Sequence, residues 1–161
     1  MEVNTFCEGV QRYRDDLYML AFAILKNETD AEDAVSNAIL KAYEHRKQIS
    51  IFHKFKPWML TITRNEALKI KRKQLYLPGN EVVEALLKPV MAKYDELWDV
   101  LQQLKEEYRL VIVLFYYDEL LIRDISDVLE IPAGTVKSRL NRGRAKLRTM
   151  LEEKLEGNEA G

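Results

Sequence analysis

Ile131-Pro132-Ala133-Gly134-Thr135-Val136-Lys137-Ser138-Arg139-Leu140-Asn141-Arg142-Gly143-Arg144-Ala145-Lys146-Leu147-Arg148 decides how this chain is read, because it describes a tight turn feeding a helix with one apolar face among cations. Pro132 and Gly134 punctuate the turn, and the Thr135 hydroxyl is placed to cap the helix by accepting from a free amide of its first turn. At helical spacing Val136, Leu140, Gly143, Leu147 and Met150 share one side, while Lys137, Ser138, Asn141, Arg142 and Arg148 point away from it. Upstream lie an apolar run from Leu110 to Tyr117 and a short amphipathic segment from Arg123 to Leu129, whose inner face is Ile125, Val128 and Leu129. Together these elements spell a helix-turn-helix.

In that motif the second helix enters the major groove, where Arg or Lys pairs with guanine and Asn with adenine. Lys137, Ser138, Asn141 and Arg142 are the expected base readers. Arg139, Arg144 and Lys146 lie on the flanks, where a cation holds phosphate and positions the helix without reading sequence. A basic solvated helix closing a small bundle would show the same charge run alone, but not the turn and short helix before it.

The chain has 161 residues, 47% hydrophobic and 32% charged, which suits one ordinary domain or two small helical ones and excludes a disordered polypeptide. Its net charge of -1 is unexpected in a protein that binds DNA unaided. The charge is segregated instead. Cations gather in 64–73 and 137–148, acids in 28–33, 95–99 and the tail from Glu152. Two DNA patches, each weak alone, are therefore expected. Cys7 is the sole cysteine and reads as a small buried hydrophobe; with His45 and His53 it offers neither a disulfide nor zinc-ligand spacing. No cofactor is implied. No apolar run approaches a membrane span and the start lacks signal-peptide order, so a cytoplasmic location is expected.

Apolar positions from Phe6 to Leu25 recur at three and four, giving one or two helices. Thr29 or Asp30 is expected to cap a second helix running to Tyr43. Between 45 and 55 aromatic and basic residues interleave, including Phe52, His53 and Lys54, before Pro57-Trp58 opens a helix reaching about Lys73. Aromatic rings beside cations offer single-stranded nucleic acid stacking surfaces and backbone charge; buried core aromatics with a solvated end fit these residues equally well, and Trp58 reads as core. Turn signals at Leu77-Pro78-Gly79-Asn80 and at Pro89 mark a linker, after which Leu97, Val100, Leu101 and Leu104 resume helical periodicity. No strand alternation stands out. The expected fold is all-α, with two small helical domains at 1–74 and 95–155, a linker at 75–94 and a tail at 156–161.

Asp30-Ala31-Glu32-Asp33-Ala34-Val35 through Leu40-Lys41-Ala42-Tyr43, then the segment Phe55 to Asn65, then Ile131 to Leu140, together resemble a bacterial extracytoplasmic-function sigma factor of the sigma-70 family. The resemblance implies a non-enzymatic, all-helical initiation factor that binds core RNA polymerase and directs it to promoter DNA. It assigns Asp30, Glu32, Asp33, Ser36, Asn37, Leu40 and Lys41 to docking on the clamp helices of the largest polymerase subunit, with the flap as a further contact. It assigns Gln48, Phe52, His53, Lys54, Arg64 and Asn65 to recognising and unpairing the minus-10 element. It assigns Thr135, Lys137, Ser138, Arg139, Asn141, Arg142 and Lys146 to reading the minus-35 element as duplex. The linker would thread toward the active channel and the RNA exit path. Control by an anti-sigma factor, often membrane-anchored, is implied as well, and no small-molecule substrate is. The chain departs from the family pattern at Ser36, usually glutamine; at Lys69, near a position often aspartate; at Leu104-Lys105, usually Leu-Pro; and at Arg123-Asp124-Ile125-Ser126, more often a Glu-Ile-Ala pattern.

Two other classes fit part of the sequence. A stand-alone helix-turn-helix regulator with an N-terminal sensing or dimerising half explains the basic helix but gives the segments 30–43 and 58–65 no role. A metal-dependent nuclease could use Glu32 and Asp33, but adjacent helical residues diverge and no convergent His or Asp partner is evident.

Overall fold

The computed structural model describes residues 1–74 and 96–160, except the side chains of 53 and 158–160. The linker expected at 75–94 lies outside the described residues, as does the end of the tail. Among the described residues the structure is helical throughout: α1 (Val3–Leu25), α2 (Glu28–Glu44), α3 (Phe55–Gln74), α4 (Glu96–Leu101), α5 (Glu106–Ile112), α6 (Ile122–Leu129) and α7 (Ala133–Ala160). Short 3-10 turns at Arg46–Gln48 and Phe52–Lys54 join α2 to α3, and α5 ends in a π-helical turn, Val113–Tyr117.

The first lobe packs α1, α2 and α3 against one another. Ala31, Ala34, Ala38 and Ala42, at three- and four-residue spacing, are fully buried on α2 and let its backbone approach the larger Leu17, Leu20, Met59 and Leu60 of its neighbours. Gly9 of α1 sits where the Phe55 ring passes: a Cβ there would come within 2.6 Å of it. The periodic stretch Phe6 to Leu25 is thus one helix, ended by Lys26 in the left-handed conformation with its N–H on the Phe22 carbonyl at 2.7 Å.

Two local expectations change. Asn27, rather than Thr29 or Asp30, caps α2, its Oδ1 accepting from the Asp30 amide at 2.9 Å. Asn27 is the extended residue before the first helical one, so its short side chain reaches that amide, whereas Thr29 and Asp30 are already helical. Cys7 is exposed rather than buried, because it lies one position past the inward-facing Phe6 and is rotated off the apolar stripe.

In the second lobe Trp98, Leu101, Leu114, Ile125, Val136 and Leu140 form the core, with α7 crossing α5 at Gly143. The two lobes meet as well. Buried Phe22 of α1 faces buried Trp98 of α4 at a ring separation of 6.1 Å, so the apolar cluster is continuous from one lobe to the other. Arg109 of α5 is 4% exposed; its Nε donates to the Ala23 carbonyl of α1 at 2.6 Å and its Nη1 to the Leu104 carbonyl at 2.7 Å. Its charge is thereby buried on carbonyl dipoles from both lobes. Burial lowers the Arg109 guanidinium from its ordinary pKa, with Glu106 acting in the opposite sense.

Candidate nucleic-acid interface

Helices α6 and α7 form the expected helix-turn-helix. Glu130 ends α6 in the left-handed conformation at φ 56°, and the Ser126 Oγ donates to the Ile131 carbonyl at 2.5 Å while the Ile131 N–H donates to the Ser126 carbonyl at 3.2 Å. That reciprocal pair fixes the turn. Helix α7 begins at Ala133, with the Pro132 carbonyl accepting from Thr135 and Val136 amides at 3.0 and 3.1 Å. Thr135 therefore lies inside the first turn and is not the cap expected of it: Pro132 leaves the chain in position to become helical three residues sooner.

The register of α7 follows the sequence pattern. Val136, Leu140 and Gly143 are buried; Lys137, Asn141, Arg142, Lys146 and Arg148 are exposed, and Ser138 and Arg139 are half-buried. Thr135, Ser138, Arg139 and Arg142 line one shallow polar cleft of about 370 Å³ with Glu107, Tyr108 and Gly134. Lys146 lies outside that cleft, its Nζ 5.5 Å from the Tyr108 ring. Lys137 and Asn141 are exposed on α7 outside that cleft.

On the first lobe the aromatic and basic segment forms a ledge. Phe55 is fully buried between Phe6, Tyr13 and Trp58, and Phe52, 36% exposed, stacks on it at 5.8 Å with planes 13° apart. Phe52 is thus partly exposed on a fixed base. Beside it opens a cleft of about 700 Å³ lined by Arg46, Lys47, Ser50, Phe52 and the first residues of α1. Arg46 and Lys47 were not among the expected minus-10 residues, although their place in the same basic and aromatic run was the available signal. Gln48 and Lys54 are exposed but outside that cleft, and His53 has no described side chain. Asn65 is exposed on α3, whereas Arg64 is 20% exposed and its Nη1 lies 3.7 Å from the Glu130 carboxylate of the second lobe. Trp58 is partly buried against the core.

A third surface runs along α2. Glu32, Asp33, Ser36 and Asn37 are exposed on the same helix as Leu40, which is 65% exposed. Asp30 accepts from the Gln74 side-chain amide, and Lys41 pairs with Glu66 at 3.4 Å, so these two are held within the lobe. A further, apolar groove of about 620 Å³ lies between α4, the π turn and the C-terminal half of α7, lined by Leu97, Tyr116, Leu147, Leu151 and Leu155 among others. Among the described residues no group of three His, Cys, Asp or Glu could hold a metal ion, and no helix is long and apolar enough to cross a membrane.

These features define a two-lobed helical DNA-binding protein in which one lobe carries a helix-turn-helix and the other an aromatic ledge beside cations. Residues 10–75 match the family Sigma-70 region 2 and residues 94–147 match Sigma-70, region 4. The chain is 34% identical to the ECF RNA polymerase sigma factor SigW of Bacillus subtilis, over 93% of this chain and 90% of that one. It is 29% identical to the RNA polymerase sigma factor SigV of the same organism, over 86% of each. The fold is shared with the sigma factor RpoE of Bartonella quintana, solved in complex with the anti-sigma factor NepR, at a TM-score of 0.75 and 24% identity over 93% of this chain and 98% of that one. It is also shared with CnrH, solved in complex with the cytosolic domain of CnrY, at 0.68 and 23% over 92% and 88%. The chain belongs to the extracytoplasmic-function group of the sigma-70 family: it is an RNA polymerase sigma factor and not an enzyme.

Proposed function

We propose that this sigma factor divides promoter recognition between its lobes. Exposed Lys137, Asn141 and Arg142, with Ser138, read the minus-35 duplex, and Thr135, Arg139 and Lys146 hold its backbone. Gln48, Phe52, His53, Lys54, Arg64 and Asn65, joined by Arg46 and Lys47 at the cleft, capture the opened minus-10 element. The observation that carries this division is the Phe52 ring, stacked on buried Phe55 and about a third exposed, at a cleft that Arg46 and Lys47 also line. An unpaired base gains about 1–3 kcal/mol from such a platform, the same order as the cost of leaving its stack. The α2 face around Leu40 docks on the polymerase clamp helices: its acids supply charge and its exposed leucine the apolar anchor. The flap takes the apolar groove beside α7.

Weak DNA patches suffice under this reading, because core polymerase holds both lobes on one promoter and each raises the effective concentration of the other. Such a factor works in the cytoplasm, where polymerase and promoter are. An anti-sigma factor that covers the polymerase-binding surfaces would control it, as the bound partners of the two structural neighbours suggest. Gel shift and permanganate footprinting on a polymerase-bound promoter test the division. Arg142→Ala weakens duplex binding and leaves opening of the bound fraction intact, whereas Phe52→Ala impairs opening with little change in duplex binding. Equal damage to both steps by both variants contradicts it. Deleting residues 1–74 separates the stand-alone regulator: a regulator keeps its operator affinity, and a sigma factor loses polymerase-dependent initiation.

A further inference from the structure

The seam between the lobes contains polar groups that neither DNA nor polymerase explains. Lys56, in the first turn of α3, donates from Nζ to the Asp118 carbonyl of the second lobe and lies 3.3 Å from the Asp16 carboxylate of α1. The Tyr13 ring stands 5.3 Å from the same ammonium. Asp118 is fully buried, and among the described residues neither of its carboxylate oxygens has a hydrogen-bond partner. The seam is extended by the Arg109 bond to the Ala23 carbonyl, by Lys71 on Glu106 at 2.9 Å, and by Arg64 on Glu130 at 3.7 Å.

This arrangement and promoter engagement exclude one another. Minus-10 and minus-35 centres are about 25 base pairs apart, about 85 Å at 3.4 Å per step. Here α3 touches the second lobe directly, and Arg64 is held against the turn of the helix-turn-helix. The lobes must part before both elements are read.

We propose that Lys56, Asp16 and Asp118 form a latch that keeps the free chain closed, and that release of this latch frees Arg64 for the promoter. The latch stands on the seam alone; the part played by Arg64 rests on the division of recognition given above. Lys56 is the bolt, since one ammonium joins α1, α3 and the second lobe. Asp118 makes the bolt proton-linked. In the closed form its carboxyl is pushed well above the ordinary carboxylate range, first by burial and then by the Asp16 charge, with Lys56 opposing. Asp16 is raised too, by burial first, with Lys56 lowering it and Asp15 and Glu119 adding to the rise. Parted lobes return the Asp118 carboxyl to water and to its ordinary range, whereas Asp16 stays beside Lys56 within the first lobe. The closed form therefore holds a proton on Asp118 that the open form releases, so closure is favoured at low pH and is lost as pH climbs through the raised range. Across that range each pH unit changes the closed-to-open ratio by up to about tenfold per proton.

The test is an interlobe distance distribution on the full chain, by pulsed spin-label spectroscopy or single-molecule energy transfer. Exposed Cys7 carries one label and Glu153→Cys on α7 the other. Across a pH series the wild type is expected to show one short distance at the acid end and a several-fold larger long-distance population at the alkaline end. Lys56→Met is expected to be open at both ends, and Asp118→Asn, an uncharged isostere, closed at both. Circular dichroism establishes that each variant keeps its helices, and the Asp118→Asn result needs no loss of stability to be read. A folded Lys56→Met with the wild-type distances overturns the latch, as does a wild type indifferent to pH or an Asp118→Asn that still responds to it. A fluorescein-labelled random single-stranded dodecamer supplies the second readout: at the alkaline end of the series it should bind Asp118→Asn several-fold more weakly than wild type. Equal binding overturns the gating of Arg64, and the initiation-factor reading fails separately, only if core polymerase is not bound.

Discussion

Gly9 and Gly143 both mark close helix approaches, but their substitution has unequal consequences. A Cβ at Gly9 meets the Phe55 ring at 2.6 Å, and that ring is pinned by Phe6 and by the Phe52 stack, so Gly9→Ala should cost about 1–3 kcal/mol in urea unfolding. At Gly143 the nearest atom is the flexible end of Ile112 at 2.8 Å, with the Tyr108 Cβ at 3.2 Å; both glycines are helical, so the gain of about 1 kcal/mol in helix propensity is common to them and the freedom of the Ile112 end sets them apart. Gly143→Ala should therefore fall closer to neutral. A larger loss at Gly143 than at Gly9 would contradict this packing. On α7, Arg142→Ala should cost about 1–3 kcal/mol at a cognate minus-35 site and relax preference there, whereas Lys146→Ala should weaken all sequences alike and lower the salt slope by about one. Binding isotherms over a salt series distinguish the two. At this scale the α7 register was readable from apolar spacing, because Val136 and Leu140 lie inside a long repeat. Cys7 and Thr135 were misread because each was judged by residue type, while its position relative to the helix start or stripe decided its place.

The elements were legible where periodicity was long. α1, α2 and α3 follow three- and four-residue repeats, and the helix-turn-helix follows from its turn residues. The caps were less so: the sequence offers Asn27, Thr29 and Asp30 close together, and only the helix start decides among them. Asn27→Ala should lower stability by about 1 kcal/mol, with Thr29→Ala near zero, in thermal melts of the full chain. The reverse order would return the cap to Thr29. Neither the π-helical turn at Val113–Tyr117 nor the left-handed Glu119 and Glu130 left a trace in the sequence. Neither carries a glycine, and the Asp118 amide on the Val113 carbonyl at 3.0 Å is a local choice made by packing rather than by propensity.

At the scale of the whole molecule, the two-lobe plan was legible and the seam was not. Arg109 donates to Ala23, and Lys56 to Asp118, across distances along the chain for which a single sequence holds no pattern. A solitary charge at an inward register, as at Arg109 beside Val111 and Ile112, is the sort of signal that could have pointed there. The net charge of -1, puzzling for a DNA-binding protein, is intelligible once the lobes are understood to act in tandem on a polymerase that supplies the spacing. The most direct measurement is a titration of the fluorescently labelled full chain with purified bacterial core RNA polymerase at physiological salt. It is followed by anisotropy and competed with an established sigma factor, with an unrelated helix-turn-helix protein as control. The account predicts saturable, tight binding that the competitor displaces and that Leu40→Asp on the α2 face weakens at least about tenfold, the effect of losing a buried apolar anchor. Absence of binding by a well-folded chain would contradict it.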